Sequence, residues 1–150
     1  MKKAILVLLA AILLGSASIN AQTVSEADKD AIKATALDYI EGWYEGNAER
    51  MERALSPDLA KRIVMTGPQG RSMLQQMSAM GLVQGVKRGG GKETAKEKQQ
   101  KDVTILDVFN NAASVKIVAS DWIDYLHIAK FNGRWLIVNV LWELKPKPQG

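Results

Sequence analysis

The chain is 150 residues long, 47% hydrophobic and 24% charged, with 20 Lys or Arg against 16 Asp or Glu, one histidine and no cysteine. The absence of cysteine excludes disulfides, thiolate nucleophiles and thiolate metal sites, so stability must come from packing. A net charge of +4 is too small for the basic footprint of a nucleic-acid-binding domain.

The first residues read MKKAILVLLAAILLGSASINAQ. Lys2 and Lys3 precede an apolar run from Ala4 to Leu14, and small residues follow. That is the layout of a secretory signal peptide. A spanning helix needs about 20 apolar residues, so the run is too short for a stable anchor. Residues 1–21 are expected to be cleaved after Ala21, with Ala17 as the competing site, and the chain to be exported to the periplasm or secreted. Residues 22–145 then form one domain and 146–150 a proline-interrupted tail. Loss of Lys2 and Lys3 lowers the net charge to +2, 18 basic against 16 acidic side chains.

SEADKDAIKATALDYIEGWYEGN predicts a long amphipathic helix. Ser25 caps it, and Ile32, Ala36, Tyr39, Ile40 and Trp43 recur at helical spacing. Gly46 is the stop. Asn47 then caps a short helix, NAERMERAL, which Pro57 ends. KRIVM reads as a short strand and Thr66 to Gly70 as a turn. RSMLQQMSAMGL predicts a third helix with a methionine-rich face of Met73, Leu74, Met77 and Met80. Residues 85–102 are polar and glycine-rich and predict a mobile surface loop. Its GGGK lacks the spacing, the Ser or Thr and the strand-to-helix junction of a phosphate loop.

The last third reads as two antiparallel hairpins, turning at Asn110-Asn111 and at Asn132-Gly133. Counting from the second turn pairs Phe131 with Arg134 and His127 with Val138. Strict alternation then sorts two faces. One holds Ile123, Tyr125, His127, Ala129 and Phe131 with Leu136, Val138, Val140 and Trp142. The other holds Trp122, Asp124, Leu126, Ile128 and Lys130 with Trp135, Ile137, Asn139, Leu141 and Glu143. Both faces are apolar enough to need cover, one by the helices and the other by a second copy, so a homodimer is expected. Asp124 and Asn139, flanked by tryptophans, make the mixed face the better pocket wall. His127 lacks an orienting partner and is read as structural.

DYIEGWYEGNAERMERALSPDLAKR and VTILDVFNNAASVKIVASDWIDYLHIAKFNGRWLIVNVLWE together resemble the family labelled "putative lumazine-binding", a branch of the nuclear-transport-factor-2-like superfamily. The resemblance implies an α+β fold. In it, three N-terminal helices pack on a curved antiparallel sheet to form a cone around a cavity, and dimers form through the sheet. A flat ring system such as a pteridine would find Trp43, Trp122, Trp135, Asp124 and Asn139 as wall and hydrogen-bond partners, although such tryptophans commonly serve as core anchors.

Relatives on this fold move protons at carbon in a dry cavity. In that case Asp124 would be the base and Tyr39 the oxyanion donor, with His127 and Tyr125 taking part if the faces were reversed. One histidine without clustered carboxylates leaves no metal-ligand set, and no GxSxG elbow occurs. Three functions follow as expectations. The first is an exported, non-catalytic domain that needs no cofactor and binds a small apolar or aromatic molecule through Tyr39, Trp43, Trp122, Asp124 and Asn139. The second is a cofactor-free isomerase, dehydratase or cyclase using Asp124 or His127. The third is an interaction domain with a filled cavity.

Overall fold

The computed structural model describes residues 24–147; the expected signal segment and the last residues of the tail lie outside them. Helix α1 (Glu26–Glu45) starts where the Ser25 side chain accepts from the Asp28 amide at 3.1 Å. It ends at Gly46, whose φ of 64° closes the last turn. Its buried stripe is Ile32, Ala36, Tyr39, Ile40 and Tyr44, while Trp43 is only half-buried. Each fully buried large aliphatic side chain here contributes about 1.5–3 kcal/mol. Asn47 caps α2 (Ala48–Ala54) by accepting from the Arg50 amide.

The chain then passes directly into strand β1 (Leu55–Thr66), so Pro57 falls in a strand rather than after a helix. Pairing between β1 and its neighbour skips from Leu55 to Ala60, and the proline sits in that irregularity. The segment read as a third helix divides. Ser72–Ser78 is an edge strand, β2, and only Ala79–Lys87 is helical, as α3. The methionines fit helical spacing, but the turn at Gly67–Gly70 folds this segment back antiparallel on β1. There Met73, Leu74 and Met77 remain exposed. Helix α3 therefore follows two strands and is not one of an N-terminal set.

Strands β3 (Lys101–Phe109), β4 (Ala112–Ala119), β5 (Trp122–Phe131) and β6 (Arg134–Leu144) form a meander. The sheet has six strands in the order β2-β1-β6-β5-β4-β3. It is mixed rather than purely antiparallel, because β6 returns beside β1 in the same direction. The fold is α+β, with three α-helices on one face of the sheet. Asn132 and Gly133 both have positive φ, 48° and 82°, as a type I′ turn requires, and Phe131 pairs with Arg134.

The register set by that turn does not persist. Ile128 pairs with Ile137 but His127 pairs with Asn139, so Val138 is an extra residue in β6. Beyond this bulge the faces of β6 reverse. Val140 and Trp142 point to the helices, and Asn139, Leu141 and Glu143 point away. The expected pair of His127 with Val138, and the expected proximity of Asn139 to Asp124, are both corrected by this one residue.

Residues 88–100 include a 3₁₀ turn at Lys96–Lys98. Gly90 and Gly91 of this loop lie across the Trp43 indole. A Cβ added to Gly90 would stand 2.6 Å from Trp43 Cη2, and one on Gly91 would overlap the same ring. The absence of side chains there is a packing requirement.

Candidate functional site

Where side chains of the three helices meet those of β1, β2, β5 and β6, a cavity of about 240 Å³ opens. Tyr39 and Trp43 of α1, Trp122 of β5 and Trp142 of β6 supply aromatic wall, and Met77 and Leu82 close it from β2 and α3. Trp43 and Trp122 meet edge to face with centroids 6.3 Å apart. The cavity surface is almost wholly apolar, and Lys61 of β1 is the one charged residue in its lining.

Lys61 is only 6% exposed and Asp124 is fully buried. Lys61 Nζ donates to Asp124 Oδ1 at 2.6 Å and to the Tyr39 hydroxyl at 2.6 Å. Tyr39 in turn donates to Asp124 Oδ2 at 3.2 Å. Trp122 Nε1 donates to the same oxygen at 2.6 Å. The ammonium also lies 4.7 Å from the centroid of the Trp142 ring, a cation–π distance. Four elements thus converge on one charged pair. Register puts them there: Lys61 stands beside Val140 of β6, and Asp124 stands opposite Trp142. Without the Val138 bulge, Trp142 would face solvent.

Burial pushes the Lys61 ammonium toward the neutral amine, and the adjacent Asp124 carboxylate opposes this. Burial, reinforced by Asp124, pushes the Tyr39 hydroxyl well above its ordinary value, so it keeps its proton. Asp124 already accepts from three donors and does not line the cavity. It is the counter-ion of Lys61, and the charged pair lies behind an apolar cavity surface.

Of the expected site residues, Tyr39, Trp43 and Trp122 line the cavity and Asp124 lies just behind it. Asn139 does not reach it. On the opposite face of the sheet its side-chain oxygen accepts from Arg62 at 2.9 Å, and its nitrogen is 3.3 Å from His127 Nδ1. His127 is exposed on that same outer face, as is Tyr125. Trp135 is buried elsewhere and donates to Asp28 at 2.9 Å. Lys61 and Trp142 were missed. A lysine in KRIVM carries no sign of burial, and Trp142 was sorted to the wrong face by the unseen bulge. The signal within reach was an unpaired aspartate in an apolar strand, which calls for a buried cation.

A family model described as putative lumazine-binding matches residues 27–143. No curated protein matches the sequence. Several solved structures resemble the chain. An NTF2-like protein of unknown function from Methylobacillus flagellatus shares 22% identity at a TM-score of 0.66, over 83% of this chain and 97% of its own. One from Shewanella baltica shares 20% at 0.64, over 83% and 99%. An NTF2-like protein with a cystatin-like fold from Novosphingobium aromaticivorans shares 11% at 0.59, over 81% and 84%. At these identities the likeness is one of fold alone.

Proposed function

The chain belongs to the putative lumazine-binding family, and we propose that it is a small-molecule-binding domain whose ligand is flat and mostly apolar. The observation that carries this reading is the apolar cavity walled by Tyr39, Trp43, Trp122 and Trp142, with the Lys61–Asp124 pair held behind its surface. Apolar, aromatic walls suit recognition of a small ring system. Helices on one side and the sheet on the other enclose it in the manner of a cone. A pteridine is one ring system of this shape.

The binding reading is favoured over proton transfer because Asp124, the candidate base, is saturated by three donors and shielded from the cavity. It is favoured over a filled interior by the open volume itself. Export to the periplasm or beyond belongs to the same proposal and rests on the signal-like residues 1–21. So does a homodimer formed through the outer sheet face.

The test is native mass spectrometry of the chain purified from its source, with tryptophan fluorescence titrated by 2-naphthol as an aromatic probe. The expected results are a co-purifying small molecule and quenching that saturates. Protein carrying nothing, with fluorescence unmoved by the probe, overturns the reading. Leu82→Trp, which fills the cavity, should abolish both signals while the fold persists.

A further inference from the structure

The strands place their connections alternately at two ends of the sheet, and the two ends differ in charge. The cavity lies toward the end where β5 begins with Trp122 and β6 finishes with Leu144, both of them lining residues. At this end lie the 67–71 turn, the 88–100 loop, the 120–121 turn and the chain beyond β6. Through residue 147 these connections hold seven Lys or Arg against three Asp or Glu. The turns at the other end, Asn110-Asn111 and Asn132-Gly133, hold no charge. Arg71, Arg88, Lys92, Lys96 and Lys98 are exposed, and none of the five forms an ion pair among the described residues.

The 88–100 loop is tied to the cavity wall. Gly90 and Gly91 lie across Trp43. Its last residue, Gln100, accepts from the Tyr44 hydroxyl at 2.9 Å through its carbonyl and from Lys145 Nζ at 2.8 Å through its side chain. Lys145 directly follows Leu144. Apolar surface also runs out of the cavity. Lys61 pairs with Met77 and Met65 with Met73, and alternation puts all four on the cavity face of β1 and β2. Met65 and Leu144 each stand three residues beyond the pair Arg62 and Leu141, which makes them neighbours on adjacent strands. Met65, Met73, Met77 and Leu144 are 36%, 59%, 41% and 48% exposed. The cavity therefore continues into an apron of flexible apolar side chains edged by unpaired cations.

We propose that this end of the molecule docks on an anionic phospholipid surface, with the apron entering the headgroup layer and the cations meeting lipid phosphates. Basic residues beside a membrane-facing apolar patch are the two signals that hold a protein at such an interface. Lysine is a point charge on a long stem and meets phosphates at any spacing. Methionine adapts to a fluid layer. Neither needs the fixed, shaped counterpart of a protein partner. The inference deepens the binding reading above and rests on it for its purpose. A ligand that suits an almost wholly apolar cavity partitions into lipid, and a docked mouth receives it without a passage through water.

The experiment is co-sedimentation of the purified chain with vesicles. Vesicles of phosphatidylcholine and phosphatidylglycerol in equal parts should pellet the chain, and pure phosphatidylcholine should bind it at least about tenfold more weakly. Salt at about 0.5 M should release it. Each basic residue near the surface is worth about fivefold, so Lys92→Gln/Lys96→Gln/Lys98→Gln should weaken binding about a hundredfold. Met73→Gln, on the exposed edge strand, should weaken it several-fold at unchanged charge. Lys29→Gln/Lys33→Gln/Arg134→Gln removes the same charge at the far end of the molecule and should change binding less than about threefold. Equal loss in the two triple variants would overturn the docking face and leave only a net-charge effect. If the chain ignores the mixed vesicles while 2-naphthol still quenches its fluorescence, docking is wrong and the binding reading stands. If the vesicles bind with the expected pattern of variants and naphthol does not quench, docking stands and the binding reading falls.

Discussion

Lys61 and Asp124 form a 2.6 Å ion pair in which neither side chain is more than 7% exposed, and Tyr39 and Trp122 complete its hydrogen bonding. Such a pair contributes little net stability, but removing one partner leaves an uncompensated charge in a low dielectric. Asp124→Asn is therefore expected to lose about 3–5 kcal/mol in urea unfolding. The double variant Lys61→Met/Asp124→Leu is expected to recover most of that loss. A double variant as unstable as Asp124→Asn would show that hydrogen bonding to Tyr39 and Trp122, not charge, sets the cost.

The loop glycines give a second expectation. Gly91 has φ of 82°, and a Cβ there would overlap both the indole and the carbonyl oxygen of Trp43. Gly89 has φ of 92° with nothing within 4 Å of an added Cβ. Gly89→Ala should cost only the strain of a left-handed backbone, about 1 kcal/mol. Gly91→Ala should cost about 2–3 kcal/mol and also weaken aromatic ligands, because Trp43 must move. Equal effects of the two substitutions on thermal unfolding and on naphthol quenching would remove the loop from the cavity's support.

Much of the fold was legible because its signals are local. Ser25 and Gly46 bound α1 by capping chemistry, and Asn132-Gly133 dictates a hairpin through its backbone φ values. What could not be read depends on partners distant in sequence. The methionine pattern of 73–80 fits a helix in isolation, and only β1 turns its first part into an edge strand. The Val138 bulge has no glycine to mark it, yet it moves Asn139 out of the cavity and Trp142 into it. The mixed character of the sheet, and with it the placement of Lys61 beside β6, arises from a crossover of more than sixty residues.

Acid should act at the start of α1. Asp28 accepts from Lys130 at 2.6 Å and from Trp135 at 2.9 Å. The Lys130 hydrogen bond foremost, then those of Trp135 and Ser25, lowers its pKa from 3.8 to about 2. The folded state thus holds fewer protons than the unfolded chain in that interval, and its stability falls as pH drops. The Asp28 contribution is present in full above pH 3.8 and is lost on the way down to about pH 2. Asp38 and Glu41, also lowered by basic partners, act in the same sense. Asp28→Asn should flatten the acid limb of a stability-versus-pH curve relative to the unsubstituted chain. An unchanged acid limb would show that Lys130 is not an effective partner in solution.

The outer sheet face carries the last expectation. Tyr125 and Leu141, 45% and 51% exposed, are paired across β5 and β6, with Arg62 beside Leu141 and Lys116 beside Tyr125. One strand step away, Glu143 stands opposite Ile123. The face therefore offers apolar area and both signs of charge, which is what a two-fold contact of a surface with itself requires, since each patch is used twice. A second copy covers it in the proposed dimer. His127 and Asn139 lie on the same face and would be enclosed there, away from the cavity. Light scattering of the purified chain should give twice the monomer mass. Leu141→Glu, which buries a carboxylate without a partner at the contact, should weaken association by about a hundredfold or more while the circular dichroism spectrum and naphthol quenching persist. A chain that is monomeric at micromolar concentration, or a Leu141→Glu variant that stays dimeric, would show that this face is covered by something other than a second copy.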